Sequence, residues 1–383
     1  MQRVYLDHAA TTPMHPVVIE SMLEVMRETF GNPSSTHAFG RDAKAVLESA
    51  RKSIAKQIGA AASEIIFTSG GTEGDNWVIW NAVHHLRVQR IISTKVEHHG
   101  VLHPIQWVAQ HTNIEVIYLN VNKQGAIDVE ELIQILQVEK PTLVSLMHVN
   151  NEIGSVLDIH TLAQVCKQYK AFFHSDAVQT MGKIRMNVQD FPIDFLVASA
   201  HKFHGPKGVG FIFSRKNIPI SAQILGGSQE KGVRAGTEAL ASIVGMATAL
   251  ELSLANLESH QTHISLLKDY AWNKIKTTFP NAKINGSEDG FYAVLNVCLP
   301  MSEELASMMV FHLDMKGIAI SRGSACQSGS SKPSHVLAEI LSDEDLRKPS
   351  IRISFSYTNT TEDIDALVQA LTSVGQPFSL NKN

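Results

Sequence analysis

The sequence predicts an α/β fold: a large domain with a mostly parallel central sheet flanked by helices, plus a smaller α+β domain. Three observations lead there. Between residues 65 and 215, short β-branched apolar runs alternate with stretches of helical periodicity, the pattern of strands joined by crossover helices. The chain has 383 residues, more than one hydrophobic core usually serves. After a glycine-punctuated stretch the βα alternation gives way to a long helical pattern and then to isolated strand and helix signals.

The strand runs fall at 65–68, 90–94, 115–119, 143–147, 171–174, 195–198 and 209–213, several of them apolar on both faces, as buried parallel strands are. Gly226, Gly227, Gly232 and Gly236 punctuate the chain after the last run, and a helix is expected over 239–257. Beyond it, alternation at 293–299 predicts a strand, 303–315 a helix and 351–355 a strand. The last helix starts after Thr361, with Glu362 and Asp363 suited to its positive end. These signals place the large domain at 14–255. The small domain takes 1–13 and 256–383, including a Ser/Gly-rich loop at 321–334.

Hydrophobic residues make up 44% and charged residues 18%, with a net charge of -4, the balance of a soluble globular protein. With 33 basic against 37 acidic residues and no dense Lys/Arg block, direct nucleic-acid binding is not expected. No apolar run reaches the roughly 20 residues that span a bilayer, and Arg3, Asp7 and His8 leave no signal stretch behind Met1. Cys166, Cys298 and Cys326 are too few and too far apart for a disulfide framework or a metal ligand set, which points to a reducing, cytoplasmic setting.

Open α/β sheets bind ligands at the carboxyl ends of their strands, so the residues after each run are the candidates. Thr68, Ser69, Gly70, Gly71 and Thr72 follow the first run: an anion cradle at a helix start or, on that signal alone, more simply a turn capped by Thr72. Glu97, His98 and His99 follow the second, and an imidazole there can stack on a ring or carry a proton. Asn150, Asn151 and Glu152 follow the fourth, to hold a carboxylate or phenolate or to cap the next turn. Asp176 and Gln179 follow the fifth, where a buried carboxylate requires a partner, a protonated ring nitrogen or a basic side chain. Ser199, Ala200, His201 and Lys202 follow the sixth. A lysine directly after a buried run, beside His201, can become a nucleophile, whereas Lys207 reads as a surface charge in a Gly-Pro turn.

Together these weak signals fit one ligand: an anion cradle, a stacking imidazole, a carboxylate for a ring nitrogen and an amine for an aldehyde suit pyridoxal 5′-phosphate. Cys166, with Leu162, Val165 and Tyr169 at one-face helical spacing, and Cys298, in an alternating strand, read as core thiols. Cys326 lies in a Ser/Gly stretch between Arg322 and Lys332 and reads as an exposed thiol on a mobile loop, incidental or a nucleophile that travels.

Nearly the whole chain resembles the cysteine desulfurases of the NifS/IscS type, fold-type I pyridoxal-phosphate enzymes of the class V aminotransferase group. The resemblance rests on Tyr5-Leu6-Asp7-His8-Ala9-Ala10-Thr11-Thr12-Pro13, Gly31-Asn32-Pro33-Ser34-Ser35, Phe67-Thr68-Ser69-Gly70-Gly71-Thr72-Glu73 and His148-Val149-Asn150-Asn151-Glu152-Ile153-Gly154. It continues through His201-Lys202, Gly205-Pro206-Lys207-Gly208, Arg234-Ala235-Gly236-Thr237, Gly323-Ser324-Ala325-Cys326 and Ser350-Ile351-Arg352. It implies that Lys202 bonds the cofactor aldehyde and then moves the substrate α-proton. His98 would stack on the ring, Asp176 pair with its nitrogen and Gln179 contact its phenolic oxygen. Gly71, Thr72, Ser199 and His201 would hold the phosphate, joined by Thr237 from the other subunit of a homodimer, and Asn151 and Arg352 would bind the carboxylate of L-cysteine. Cys326 would take the substrate sulfur as a persulfide, release L-alanine and pass the sulfur to an acceptor protein, an iron–sulfur scaffold or a tRNA-thiolation enzyme. The chain departs from the pattern at Phe203-His204 and at Ser354-Phe355-Ser356-Tyr357, which lacks a Gly-Arg pair, and its ending at Asn383 leaves little tail after the last helix.

Two other readings compete. Selenocysteine lyase or aminotransferase chemistry would keep the cofactor, but transamination needs no protein thiol. A metal site built on some of the 18 histidines would start from His99 and His103 at i, i+4 spacing, and no third ligand stands out in the sequence.

Overall fold

The computed structural model describes residues 3–322 and 334–374. Strand β1 (Val4–Tyr5) is followed by helices α1 (Pro16–Glu28) and α2 (Ala38–Gln57), then by β2 (Ile65–Thr68), α3 (Gly71–His84), β3 (Arg90–Thr94), α4 (His99–His111), β4 (Glu115–Leu119) and α5 (Val129–Leu136). Next come β5 (Thr142–Ser145), α6 (Ile159–Gln168), β6 (Phe172–Asp176), β7 (Phe195–Ser199) and β8 (Gly210–Ser214), and then α7 (Leu240–Ala255) and α8 (Leu257–Thr278). The remainder is β9 (Lys283–Ile284), β10 (Val294–Cys298), α9 (Glu303–Met315), β11 (Ile318–Ala319), α10 (His335–Ile340), α11 (Asp343–Arg347), β12 (Ser350–Ser354) and α12 (Thr361–Thr372).

The central sheet has seven strands in the order β2-β8-β7-β6-β5-β3-β4. Period-two alternation sends neighbouring side chains to opposite faces. Phe67, Ile92, Leu196 and Phe213 join one apolar core with α1, α2, α5, α6 and α7, while Ile66, Ile91, Val197 and Ile212 join those under α3 and α4. Helices therefore cover both faces, and the parallel strands are buried as their continuous apolar runs require. One run departs from the parallel expectation: β8 lies antiparallel between β2 and β7, because it returns directly from β7 with no crossover helix.

A separate apolar core gathers α8, α9, α12 and the three-stranded antiparallel sheet β12-β10-β9. Helix α12 buries Ile364, Leu367, Val368 and Leu371, a one-face spacing, and starts in a capping box between Thr360 and Asp363. The helix expected over 239–257 ends at Ala255, and α8 leaves it at 71°. No single helix among the described residues is long and apolar enough to cross a membrane. The amino-terminal segment ties the two cores together: β1 pairs with β11, and the Ser354 amide donates to the Leu6 carbonyl.

Candidate active site

Because β8 reverses between β2 and β7, the carboxyl ends of β2, β3, β5, β6 and β7 all reach one edge of the sheet. A cavity of about 200 Å³ opens there, lined by Gly71, Thr72, His98, Asn151, Asp176, Gln179, Ser199, His201, Lys202 and Arg352, together with Ala9, Ala10, Asp75, Met147 and Val178. Of the residues singled out in the sequence, ten thus converge on one space, and Arg352 arrives from β12 of the second core. Thr237 does not line the cavity. It is exposed on its own chain, in a loop clamped by the Arg234–Glu73 and Glu230–Arg51 ion pairs. Cys326 lies outside the described residues.

The anion end forms where β2 runs into α3. Gly70, with φ of 152°, is the helix cap and Gly71 its first residue, so Thr72 is not the cap that the local turn signal suggested but sits inside the first turn. A Cβ on Gly71 would come within 2.7 Å of Val178 Cγ2, so only glycine lets these first-turn amides press against the cavity. Thr72, Ser199 and His201 add side-chain donors around them.

His98 caps α4, its Nδ1 accepting from the Gly100 amide at 3.0 Å, which leaves the ring proton on Nε2. Burial and the nearby Lys202 hold it neutral, with a pKa pushed down to about 4. His201 is also held neutral, pushed down to about 3 by burial and Lys202. Asp176, at the end of β6, has no basic side chain as hydrogen-bond partner among the described residues; its Oδ1 accepts from the Val178 amide at 2.9 Å, and burial raises its pKa. A buried carboxylate raised in this way suits a cationic ring nitrogen.

Lys202 Nζ donates to the Ala9 and Ala10 carbonyls at 2.8 and 2.7 Å, which bring the amino-terminal segment across the lysine. Gln179 donates from Nε2 to the Ala9 carbonyl at 2.9 Å, and its Oε1 accepts from Lys183 at 3.1 Å. Lys183 is pushed down to about 7 by burial and by the charges of Lys202 and Arg352. Arg352 donates to Asp7 Oδ1 at 2.7 Å and to the Asn151 carbonyl at 3.0 Å, while its buried Nε has no hydrogen-bond partner among the described residues. Asn150 is structural: its Oδ1 accepts from the amides of Glu152 and Ile153 and caps the turn.

Three participants were missed in the sequence: Asp75, Lys183 and the Ala9–Ala10 carbonyls. Only Asp75 carried a signal, an acid between Gly74 and Asn76 just ahead of the buried Trp77, Val78 and Ile79. His99 and His103 belong to no three-ligand set that converges among the described residues. Their rings pack 4.7 Å apart and His335 packs on His99 at 4.3 Å. The one set of three potential ligands that converges among the described residues is Asp75, His98 and Asp176, inside the cavity. Cys166 and Cys298 are buried thiols, in agreement with a packing role.

Comparison with known proteins gives a consistent result. The aminotransferase class-V family model matches residues 4–367. A relative from Dictyoglomus turgidum named cysteine desulfurase IscS is 41% identical over 372 residues, covering 97% of this chain and 94% of its own. Among solved structures, a NifS-like protein superposes with a TM-score of 0.89 at 33% identity, covering 97% of this chain and 99% of its own. A NifS-like protein from Rickettsia africae gives 0.87 at 34%, with the same coverage.

Proposed function

This chain belongs to the class-V aminotransferase family, and from that premise we propose that it is a pyridoxal 5′-phosphate-dependent cysteine desulfurase. The observation that carries the reading is the convergence on one cavity of Lys202, Asp176, His98, the Gly71–Thr72 helix start and Arg352. The residues fit the cofactor: the first-turn amides with Thr72, Ser199 and His201 form a phosphate seat, His98 presents a neutral ring, and buried Asp176 supplies the anion for a pyridinium nitrogen. Lys202 supplies the amine, and Gln179 a polar amide. When bound, pyridoxal phosphate supplies an electron sink for the α-carbon of an amino acid.

The protein's own groups do the rest. Arg352, anchored by Asp7 and the Asn151 carbonyl, keeps Nε for the carboxylate of L-cysteine, with Asn151 beside it. Lys202 Nζ, steered by the Ala9 and Ala10 carbonyls, is placed to take the α-proton. The Cys326 thiolate attacks the substrate sulfur, the bond from that sulfur to the β-carbon breaks, and after protonation of the carbon the products are L-alanine and a persulfide on Cys326. The sulfur then passes to an acceptor protein, an iron–sulfur scaffold or a tRNA-thiolation enzyme. The free thiols Cys166 and Cys298 suit a reducing, cytoplasmic setting.

The active form is a homodimer in which Thr237 completes the phosphate seat of the partner subunit. In support, Thr237 is exposed, its loop is tied to Ser34 through Gln229, and the Phe30 and Phe39 rings, near Ser34 in sequence, are exposed and 5.2 Å apart.

The test supplies sulfur-labelled L-cysteine to the native protein and to Cys326→Ala. The native protein should release alanine and carry label on Cys326. The variant should still bind cofactor and cysteine but carry no persulfide and release little alanine; unchanged alanine release would remove Cys326 from the reaction.

A further inference from the structure

Asp75 stands on α3 one turn beyond the phosphate seat, 1% exposed, and neither of its oxygens has a hydrogen-bond partner among the described residues. It lines the same cavity as Asp176 and His98, and one carboxylate oxygen from each aspartate and one ring nitrogen of His98 lie within 4.8 Å of one another. Behind it, His174 Nε2 is 3.5 Å from Asp75 Oδ1, and His174 Nδ1 is 2.8 Å from the Ser145 hydroxyl. Ser145, His174 and Asp75 are all buried, so a row of polar side chains runs from β5 through β6 to α3 and ends in the ring pocket, with no hydrogen bond closing the step from His174 to Asp75 among the described residues.

Two buried carboxylates this close do not both ionise; the pair keeps one proton. The contacts decide which member holds it. Asp176 accepts the Val178 amide and faces the Lys202 cation, and both favour its charged form. Asp75 has no such donor, is desolvated by burial and faces the charge of Asp176 from the neighbouring strand, while burial keeps His174 and His98 neutral. Apart from the neutral His174 ring at 3.5 Å, which makes no hydrogen bond to it, no described neighbour of Asp75 is placed to stabilise a negative charge on it.

We propose that Asp75 is a proton-carrying positioning residue of the ring pocket: as a neutral carboxylic acid, packed against His174, it leaves Asp176 the ionised member that meets the ring nitrogen. This rests on the pyridoxal-phosphate reading and adds to it a second acid whose task is to stay uncharged. Were Asp75 ionised, the pocket would carry two negative charges for one ring cation and would hold the ring nitrogen and its imine proton too tightly.

The test has two readouts. Infrared spectra of cofactor-free protein at pH 7.5 are compared among native, Asp75→Asn and Glu97→Gln; Asp75→Asn should delete a protonated-carboxyl band that Glu97→Gln leaves in place. Asp75→Asn, which mimics the neutral acid, should also keep cofactor affinity within about threefold and leave the pH midpoint of the visible imine absorption within about half a unit. A native-minus-Asp75→Asn difference spectrum that shows no lost carboxyl component overturns the proposal, since the Glu97 component is common to both, as does a midpoint moved by about one unit or more. If Asp75→Asn does not fold, Glu97→Gln alone decides, because loss of the whole band there leaves no proton on Asp75. A native protein that stays colourless with pyridoxal phosphate sinks the functional reading instead, and the infrared result still decides Asp75.

Discussion

Glu230→Ala removes the partner of a cation that has no access to water. Arg51 and Glu230 form a two-pronged ion pair at 2.7 Å on both prongs, with both side chains 3% exposed. Glu230 Oε2 also accepts the Phe67 amide at 2.9 Å, and the guanidinium lies 4.4 Å from the centre of the Phe67 ring. Breaking a buried pair from one side costs about 3–5 kcal/mol, and an orphaned buried amide adds about 1–3. Glu48, 3.2 Å from Arg51 Nε and partly exposed, returns part of this, so a loss of about 4 kcal/mol is expected. Alanine keeps a β-carbon at φ of 44°, so no backbone strain is relieved to offset it. At about 2 °C per kcal/mol for a chain of this size, the melting temperature should fall by about 8 °C. The double variant Arg51→Met/Glu230→Met should recover much of that, because no buried charge remains. Thermal melts of the native protein and both variants decide the matter. A Glu230→Ala melt within about 2 °C of native, or a double variant melting as low as the single one, refutes the reasoning. The same pair clamps the loop that presents Thr237, so the variant should also weaken cofactor retention.

Three further outcomes are expected. Lys202→Ala should lose the visible imine absorption that pyridoxal phosphate gives the native protein; the same spectrum in the variant would mean that another amine holds the aldehyde. Arg352→Gln should lower kcat/KM for L-cysteine by about 10²- to 10³-fold, chiefly through KM, as the loss of a buried charge contact to a carboxylate implies, and steady-state alanine release measures it. Glu97 is held up to about 8 by burial, well above its value in the unfolded chain, so the folded state keeps its proton while the unfolded state loses it. Stability is therefore drained as pH rises from about 4.5 to 8, and Glu97→Gln should stabilise the protein by an amount that grows over that window and then levels. A pH-independent difference in urea unfolding would argue that Glu97 is ionised throughout.

Much of the fold was legible because buried strands carry a local signature. Runs at 65–68, 90–94 and 115–119 match β2, β3 and β4 residue for residue, and β5 to β8 shift by one or two positions where turn residues extend the pairing. The direction of β8 was not legible, since alternation has no polarity and only the short return from β7 fixes it. Helix α8 was missed although it buries Ile264, Leu267, Lys268, Ala271 and Ile275 at helical spacing, because its intervening His, Lys and Thr residues dilute the pattern. Lys202, Asp176 and His98 were visible because strand ends in an open sheet collect ligand contacts. Ala9 and Ala10 were not, because they act through carbonyls, and a carbonyl leaves no mark in a sequence.

Burial, reinforced by the charge around the cavity, keeps its imidazoles neutral. Lys183, Lys202 and Arg352 are mutually close enough to push the Lys183 pKa down, and the same lysines depress His8, His98 and His201 beyond what burial alone does. Against them stand Asp7, committed to Arg352, and Asp176, with Asp75 set beside it. A site so rich in cations is balanced only by anions, and on the proposed function a phosphate at the α3 terminus together with a carboxylate at Arg352 would supply them. The two anions come from opposite cores, one at the sheet edge and one at β12, and residues 6–12 cross between them: Ser354 reaches the Leu6 carbonyl, Asp7 meets Arg352, and Ala9 and Ala10 meet Lys202. Loss of the Asp7 contact therefore frees Arg352 and also slackens the segment whose next carbonyls steer Lys202. The placements of Arg352 and Lys202 are in this way coupled through one short length of backbone rather than through any side chain that a motif would display.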